Sequence, residues 1–190
     1  EAVVQVLHTW LPGLFLHRRR RPPNEAERLA MRLYSGVGHA CWYGRSKMAC
    51  LWAHLREMNL AETFPPGPEL AEAYSEHGPA MSLIAAFSRA CRYTEKSLAI
   101  RKELGDLWGQ GQSLDYYGIV LYAASRYRES IEKCREAVRL LERMGDFWQV
   151  HMARYQIAAS LLHLGDLEGA LREARLNYRS GIELGDEQAS

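Results

Sequence analysis

No apolar run in this sequence approaches the ~18–20 residues that a membrane-spanning helix needs. The longest candidates, such as the stretch from Gly118 to Ala124, are far too short. The apolar stretch from Ala2 to Leu16 is broken by Pro12 and Gly13. Its basic residues, Arg18 to Arg21, follow the apolar part, the reverse of a secretion signal. Neither sign of charge dominates: Lys plus Arg is 24, Asp plus Glu is 23, and the net charge is +1. The chain as a whole therefore has no general attraction for nucleic acid or an anionic membrane. Seven prolines and 15 glycines are too few for a collagen-like or linker-like chain. Cysteine is sparse, and Cys41, Cys50, Cys91 and Cys134 form no C-x-x-C pair, which excludes a zinc ribbon. They read as small buried residues in a reducing, cytoplasmic setting. Apolar residues make up 47% of the 190, enough for a real core and about one domain. The chain starts at Glu1 rather than Met and is expected to be a piece of a longer protein.

Catalytic signatures are missing too. There is no G-x-x-x-x-G-K-[ST], no H-E-x-x-H and no G-x-S-x-G. Gly109-Gln110-Gly111 lacks the third glycine and the strand of a dinucleotide loop, so it reads as a loop or helix start. Substitution of Gly109 by Ala is accordingly expected to be mild. The seven histidines are scattered. Cys50 and His54 share one helix face, but no second ligand pair lies near them in sequence, so packing is the expectation and no metal or cofactor is predicted. Glu132, Glu136 and Glu142 lie among arginines at helical spacing and are expected to form solvated ion pairs. The run Arg18 to Arg21 reads as an exposed linker and not as a nucleic-acid contact.

The main signal is an internal repeat. Leu104-Gly105-Asp106 recurs as Met144-Gly145-Asp146 and Leu184-Gly185-Asp186, a period of 40 residues. At that period Gly38, Gly78, Gly118 and Ala158 fall in one column of tiny residues, followed by a column of Cys41, Met81, Leu121 and Leu161. A third column holds Cys50, Ala90, Ser130 and Ala170. Tiny residues suit a close approach of two helices, and apolar residues one turn on share the same face. Each unit therefore reads as helix, turn, helix, with the Gly ending the second helix and the Asp capping the next. The units are 26–65, 66–105, 106–145 and 146–185, with 1–25 outside the phase and 186–190 starting a fifth. Pro79 is expected to kink or shorten its helix, Thr94 and Ser97 stand where apolar or small residues are typical, and Asn177 and Gly181 are expected to weaken the second helix of the last unit. Ala2 to Trp10 is expected to form a short apolar helix covering the open end.

The small–x–x–apolar pair followed by a second small residue resembles the tetratricopeptide repeat over about 160 residues, from Ala26 to Gly185. The long unit resembles the arrays of kinesin light chain, in segments such as Glu95 to Arg101 and Arg135 to Leu141. The stretch from Glu103 to Gln112 also resembles repeat arrays inside large bacterial signalling proteins. The resemblance implies an all-α fold, a right-handed α-α superhelix of antiparallel helix pairs, with the first helix of each unit lining a concave face. By phase that face holds Ser35, His39, Trp42 and Tyr43, then Ser75, Ser82 and Leu83. It continues with Gln112, Asp115, Ile119 and Tyr122, and with Met152, Tyr155, Leu162 and His163. Arginine and lysine are missing from it, so an apolar or amphipathic protein or peptide segment is the expected partner.

The expected function is a non-catalytic protein–protein interaction scaffold within a larger signalling protein, working with adjacent domains and binding neither nucleic acid nor membrane. The alternative is an arm that senses a peptide or small molecule and switches an attached kinase, ATPase or cyclase domain. Leu162, Leu171 and Leu176 would be left without a neighbouring unit, so the chain is expected to form a two-fold homodimer.

Overall fold

The computed structural model describes residues 1–44 and 46–185. The fifth-unit residues 186–190 lie outside this range. Among the described residues there are ten α-helices and no strand. They are α1 (Ala2–Trp10), α2 (Pro12–Phe15), α3 (Glu25–Tyr43), α4 (Lys47–Ala61) and α5 (Pro68–Ser82). After them come α6 (Phe87–Glu103), α7 (Leu107–Ala123), α8 (Tyr127–Met144), α9 (Phe147–His163) and α10 (Leu167–Leu184). None of these helices is long and apolar enough to cross a membrane. All four cysteines are free thiols.

The helix ends recur every 20 residues, and the backbone shows why. At five successive ends an amide reaches back past a left-handed residue: Ala86 to Met81 O, Asp106 to Arg101 O, Arg126 to Leu121 O, Asp146 to Leu141 O and Asp166 to Leu161 O. This closure satisfies carbonyls that the last helical turn leaves open. Gly105, Gly145 and Gly165 supply three of the left-handed residues, with φ of 68°, 74° and 81°. Ala85 and Ser125 supply the other two, at 55° and 60°. Starts are fixed as well. The side chains of Asp106, Asp146 and Asp166 accept hydrogen bonds from the amides of Gly109, Gln149 and Gly169. Each such cap is worth about 1 kcal/mol. Asn24 and Glu27 form a reciprocal capping box at α3.

From α3 on, each helix packs antiparallel on the next, and the odd helices also touch one another: α3 with α5, α5 with α7, α7 with α9. The even helices α4, α6, α8 and α10 do not touch one another. The odd helices thus form an inner layer and the even ones an outer layer. Between the layers runs the core, from Met31, Met58, Phe64 and Tyr74 through Met81 and Val120 to Leu114, Leu141, Val150 and Ile157. In α8 the buried residues Ile131, Cys134, Ala137 and Leu141 follow helical spacing, so one stripe of an otherwise charged helix enters this core.

Two glycines of the tiny-residue column are demanded by packing. A Cβ at Gly78 would sit 2.6 Å from Thr94 Oγ1, and one at Gly118 would overlap Cys134 Sγ. Gly38 has open space around it, so packing does not require glycine there.

Several expectations are corrected. Thr94 and Ser97 are fully buried and satisfied, Thr94 by Ala90 O and Ser97 by Ala71 O and Ser113. Asn177 donates to His151 O, and α10 runs unbroken through Gly181. Pro79 does not stop α5, which runs three residues past it, though α5 at 15 residues is shorter than α3, α7 and α9 at 19, 17 and 17, in keeping with the expected shortening. Gly109 is no roomy loop position: a Cβ there would overlap Arg101 and Asp106. Arg101 is 2% exposed and is held by Glu72 at 2.5 Å, Gln112 at 2.8 Å and Asp106 at 3.1 Å. Helix α1 is seated by its polar face, not its apolar one. Gln5 and His8 are buried against Asn59 and Glu62 of the α4 end, while Val3 and Trp10 point to solvent. The basic run is partly tied down: Arg19 and Arg21 both pair with Glu27, and both guanidinium groups lie over the Phe64 ring.

Candidate functional site

The inner layer encloses a cleft with about 100 Å³ of space open to water. Helices α3, α5, α7 and α9 each contribute to it, and α4 closes its base with Cys50 and His54. Five concave-face candidates converge here: His39, Trp42, Asp115, Ile119 and Met152. Gly38, Glu76, Pro79, Ala80, Tyr116, Trp148 and Gln149 complete the wall, whose exposed surface is mostly apolar. Pockets for whole drug-sized ligands run to roughly 300–1,000 Å³, so this one fits a single side chain or a small group. Ser35 belongs to its rim: it donates to Glu76 at 2.6 Å and lies 3.4 Å from His39 Nδ1. His39 Nε2 meets the Tyr116 hydroxyl at 3.1 Å, bridging α3 to α7 across the inner layer.

The other candidates lie elsewhere. Ser75 is fully buried and bonds Glu72 O within its own helix, so it faces no groove. Gln112 is buried beneath Arg101. Their phase points inward, but the close contact of α5 and α7 with α6 leaves no open surface there. Ser82 bonds Gly78 O, and Leu83 caps the end of α5. Tyr122 and His163 meet at 3.0 Å and pack with Tyr127 in an aromatic cluster apart from the cleft. Tyr155 and Leu162 are well exposed. The side chain of Tyr43 lies outside the described residues.

Beneath the cleft is a chain of buried polar groups that the repeat pattern does not foresee. Arg89 Nε donates to His77 Nε2 at 2.8 Å. In the neutral ring the proton of His77 then sits on Nδ1, which donates to His54 Nε2 at 2.8 Å. That places the His54 proton on Nδ1. His54 Nδ1 has no hydrogen-bond partner and lies 3.9 Å from Glu57 Oε2, which has none either. Burial pulls the His54 pKa down to about 3 and that of His77 well below its ordinary value, so both rings are neutral near pH 7. Burial, reinforced by the facing Glu76, pushes Glu57 well above the usual carboxylate range. Burial raises Glu76 as well, against the hydrogen bonds it receives. One donor atom from each of His54, Glu57 and Glu76 lies within 4.8 Å of the others. Among the described residues this is the one group of three His, Cys, Asp or Glu side chains placed so closely. Asp115, at the cleft wall, is pushed up to about 7 by burial alone, and its Oδ1 has no partner. The spacing His54-x-x-Glu57 was visible in the sequence. The meeting with Glu76 was not, because it depends on how α4 turns back onto α5.

The fold defines a class: a tetratricopeptide-like helical repeat, an all-α superhelix of antiparallel helix pairs. Aspartyl phosphate phosphatase F from Bacillus subtilis, a solved structure, superposes with a TM-score of 0.70 at 12% sequence identity. The match covers 88% of this chain and 44% of that one, so the chain spans less than half the length of that protein. At this identity the likeness is one of fold. Comparisons with protein-family models and with curated proteins return no match.

Proposed function

We propose that this chain is a non-catalytic protein-interaction module whose concave face holds an apolar or amphipathic segment of a partner protein. The observation that carries this reading is the convergence of His39, Trp42, Asp115, Ile119 and Met152 from three inner helices on one mostly apolar cleft. Among the described residues the lining holds no lysine or arginine, which supports an apolar anchor over a carboxylate clamp. The long-unit, kinesin-light-chain-like character, a regulatory or sensory place beside adjacent domains of a larger cytoplasmic signalling protein, and a two-fold dimer through exposed Leu162, Leu171 and Leu176 belong to the same reading. The small, helix-enclosed shape of the cleft supports a second reading, a sensing arm that takes a peptide or small molecule and switches an attached domain.

Selection from a displayed library of random dodecapeptides tests the first reading. It expects apolar or amphipathic sequences whose binding is lost in Trp42→Ala and Ile119→Asp and kept in Tyr155→Ala. Failure to select any sequence, or binding indifferent to Trp42 and Ile119, refutes it. Sedimentation at rising concentration tests the dimer, which Leu171→Lys should abolish.

A further inference from the structure

We propose that His54, Glu57 and Glu76 bind one divalent transition-metal ion at the base of the concave cleft. Two buried atoms with no hydrogen-bond partner, His54 Nδ1 and Glu57 Oε2, face each other at 3.9 Å. Glu76 brings a third donor from the next helix. An ion bonded at ~2.0–2.2 Å to each donor needs them no more than ~4.4 Å apart, so a small side-chain rotation from the present spacing suffices. One imidazole nitrogen with two carboxylates suits Zn²⁺, Fe²⁺ or Mn²⁺ over Mg²⁺ or Ca²⁺, which take oxygen-only shells of six or more. His54 and Glu76 both line the cleft, which gives the ion an entry path and leaves its remaining positions facing the space where a partner group would sit.

The repeat supplies an internal control. Forty and eighty residues on from His54 and Glu57, the positions hold Thr94 with Ser97 and Cys134 with Ala137. All four are fully buried. The same place in the fold is thus filled by small neutral residues in two other units. Packing alone does not call for an imidazole and a carboxylate in the first. Burying such groups costs stability unless something pairs with them.

Loading the ion reverses the hydrogen-bond relay behind it. With metal on Nδ1, His54 carries its proton on Nε2 and donates to His77, as ligating histidines do toward an outer partner. His77 then presents its own Nε2–H to Arg89, which must release it. Arg89 keeps Thr9 and Gln5 as partners. Loading also displaces the proton that burial and the facing Glu76 favour on Glu57. His39, 3.7 Å from Glu76, Glu72 and Cys50 beside the carboxylates, and Asp115 across the cleft are titratable neighbours.

The test is calorimetric titration of the chelator-stripped chain with Zn²⁺ in buffers of different ionisation enthalpy, with Co²⁺ absorption as the spectroscopic probe. One equivalent should bind with proton release and raise the melting temperature. Glu57→Gln and Glu76→Gln should each weaken binding by more than the ~10–100-fold typical of an outer-shell change. Both are near-isosteric and should leave the helical circular dichroism intact. Tyr155→Ala, exposed and outside the cleft, should leave binding unchanged. Arg89→Met, which removes the opposing donor, should bind Zn²⁺ more tightly than the parent. No stoichiometric binding, or binding that survives in Glu57→Gln and Glu76→Gln, overturns the site. Weaker binding in Arg89→Met overturns the placement of the ion on Nδ1.

Discussion

Gly118→Ala is the sharpest probe of how the two layers are held apart. The new methyl group overlaps Cys134 Sγ on α8, while its next neighbours, Ser130 O at 3.4 Å and Cys134 N at 3.6 Å, are ordinary contacts. Overpacking of this kind costs roughly 1–3 kcal/mol. Replacing a mid-helix glycine by alanine returns about 0.8–1 kcal/mol of helix propensity. The net loss should be up to about 2 kcal/mol, a fall of up to roughly 8 °C in melting temperature for a chain of this size. Cys134→Ala by itself deletes a fully buried sulfur and should cost about 1 kcal/mol. In that background the obstacle is gone, so adding Gly118→Ala should stabilise by up to ~1 kcal/mol. The effect changes sign because the two positions share one contact. Urea or thermal melts of the four proteins measure the cycle. If Gly118→Ala destabilises equally with and without Cys134 Sγ, the assignment of α7 against α8 through this pair is wrong.

Three further outcomes follow from the same geometry. Asp115 titrates at about 7 when folded against 3.8 in the open chain, so folding binds a proton between those values and stability falls as pH rises from about 4 to about 7. Asp115→Asn should therefore stabilise at pH 8 and change little at pH 4; denaturant titrations at the two values check this, and an equal effect at both refutes it. Ser125→Gly relieves a non-glycine residue at φ 60° and should raise stability by about 0.5–1 kcal/mol in the same assay. Gly109→Ala should cost on the order of 2 kcal/mol or more by displacing buried Arg101 from its carboxylate partners, and a neutral result would show that Arg101 has room to move.

The parts of this fold that were legible in the sequence are those where one residue type does one job. Glycine followed by aspartate marks a left-handed helix end and a capped start, and it does so at 105–106, 145–146 and 165–166. The same turns at Ala85 and Ser125 carry no glycine. Their backbone is held by the closing hydrogen bonds to Met81 O and Leu121 O, which no single residue announces. Hydrophobicity misled at α1, because apolar composition predicts an apolar contact. There the buried face is set instead by Gln5 and His8 finding the polar end of α4.

The candidate site shows the same division. His39, Trp42, Asp115, Ile119 and Met152 were reachable by phase, since a repeat with one geometry per unit places equivalent residues on one face. Ser75 and Gln112 share that phase yet are buried, because α6 packs closely against both α5 and α7. The polar chain from Arg89 to Glu57 was out of reach for a different reason. A repeat-based argument treats position 54 as it treats 94 and 134, as a place for a small residue between helices. The charged and aromatic groups in the first unit break that equivalence. Such a break is therefore itself a signal: where the scaffold's own other copies show what packing needs, a residue that exceeds the need points to chemistry.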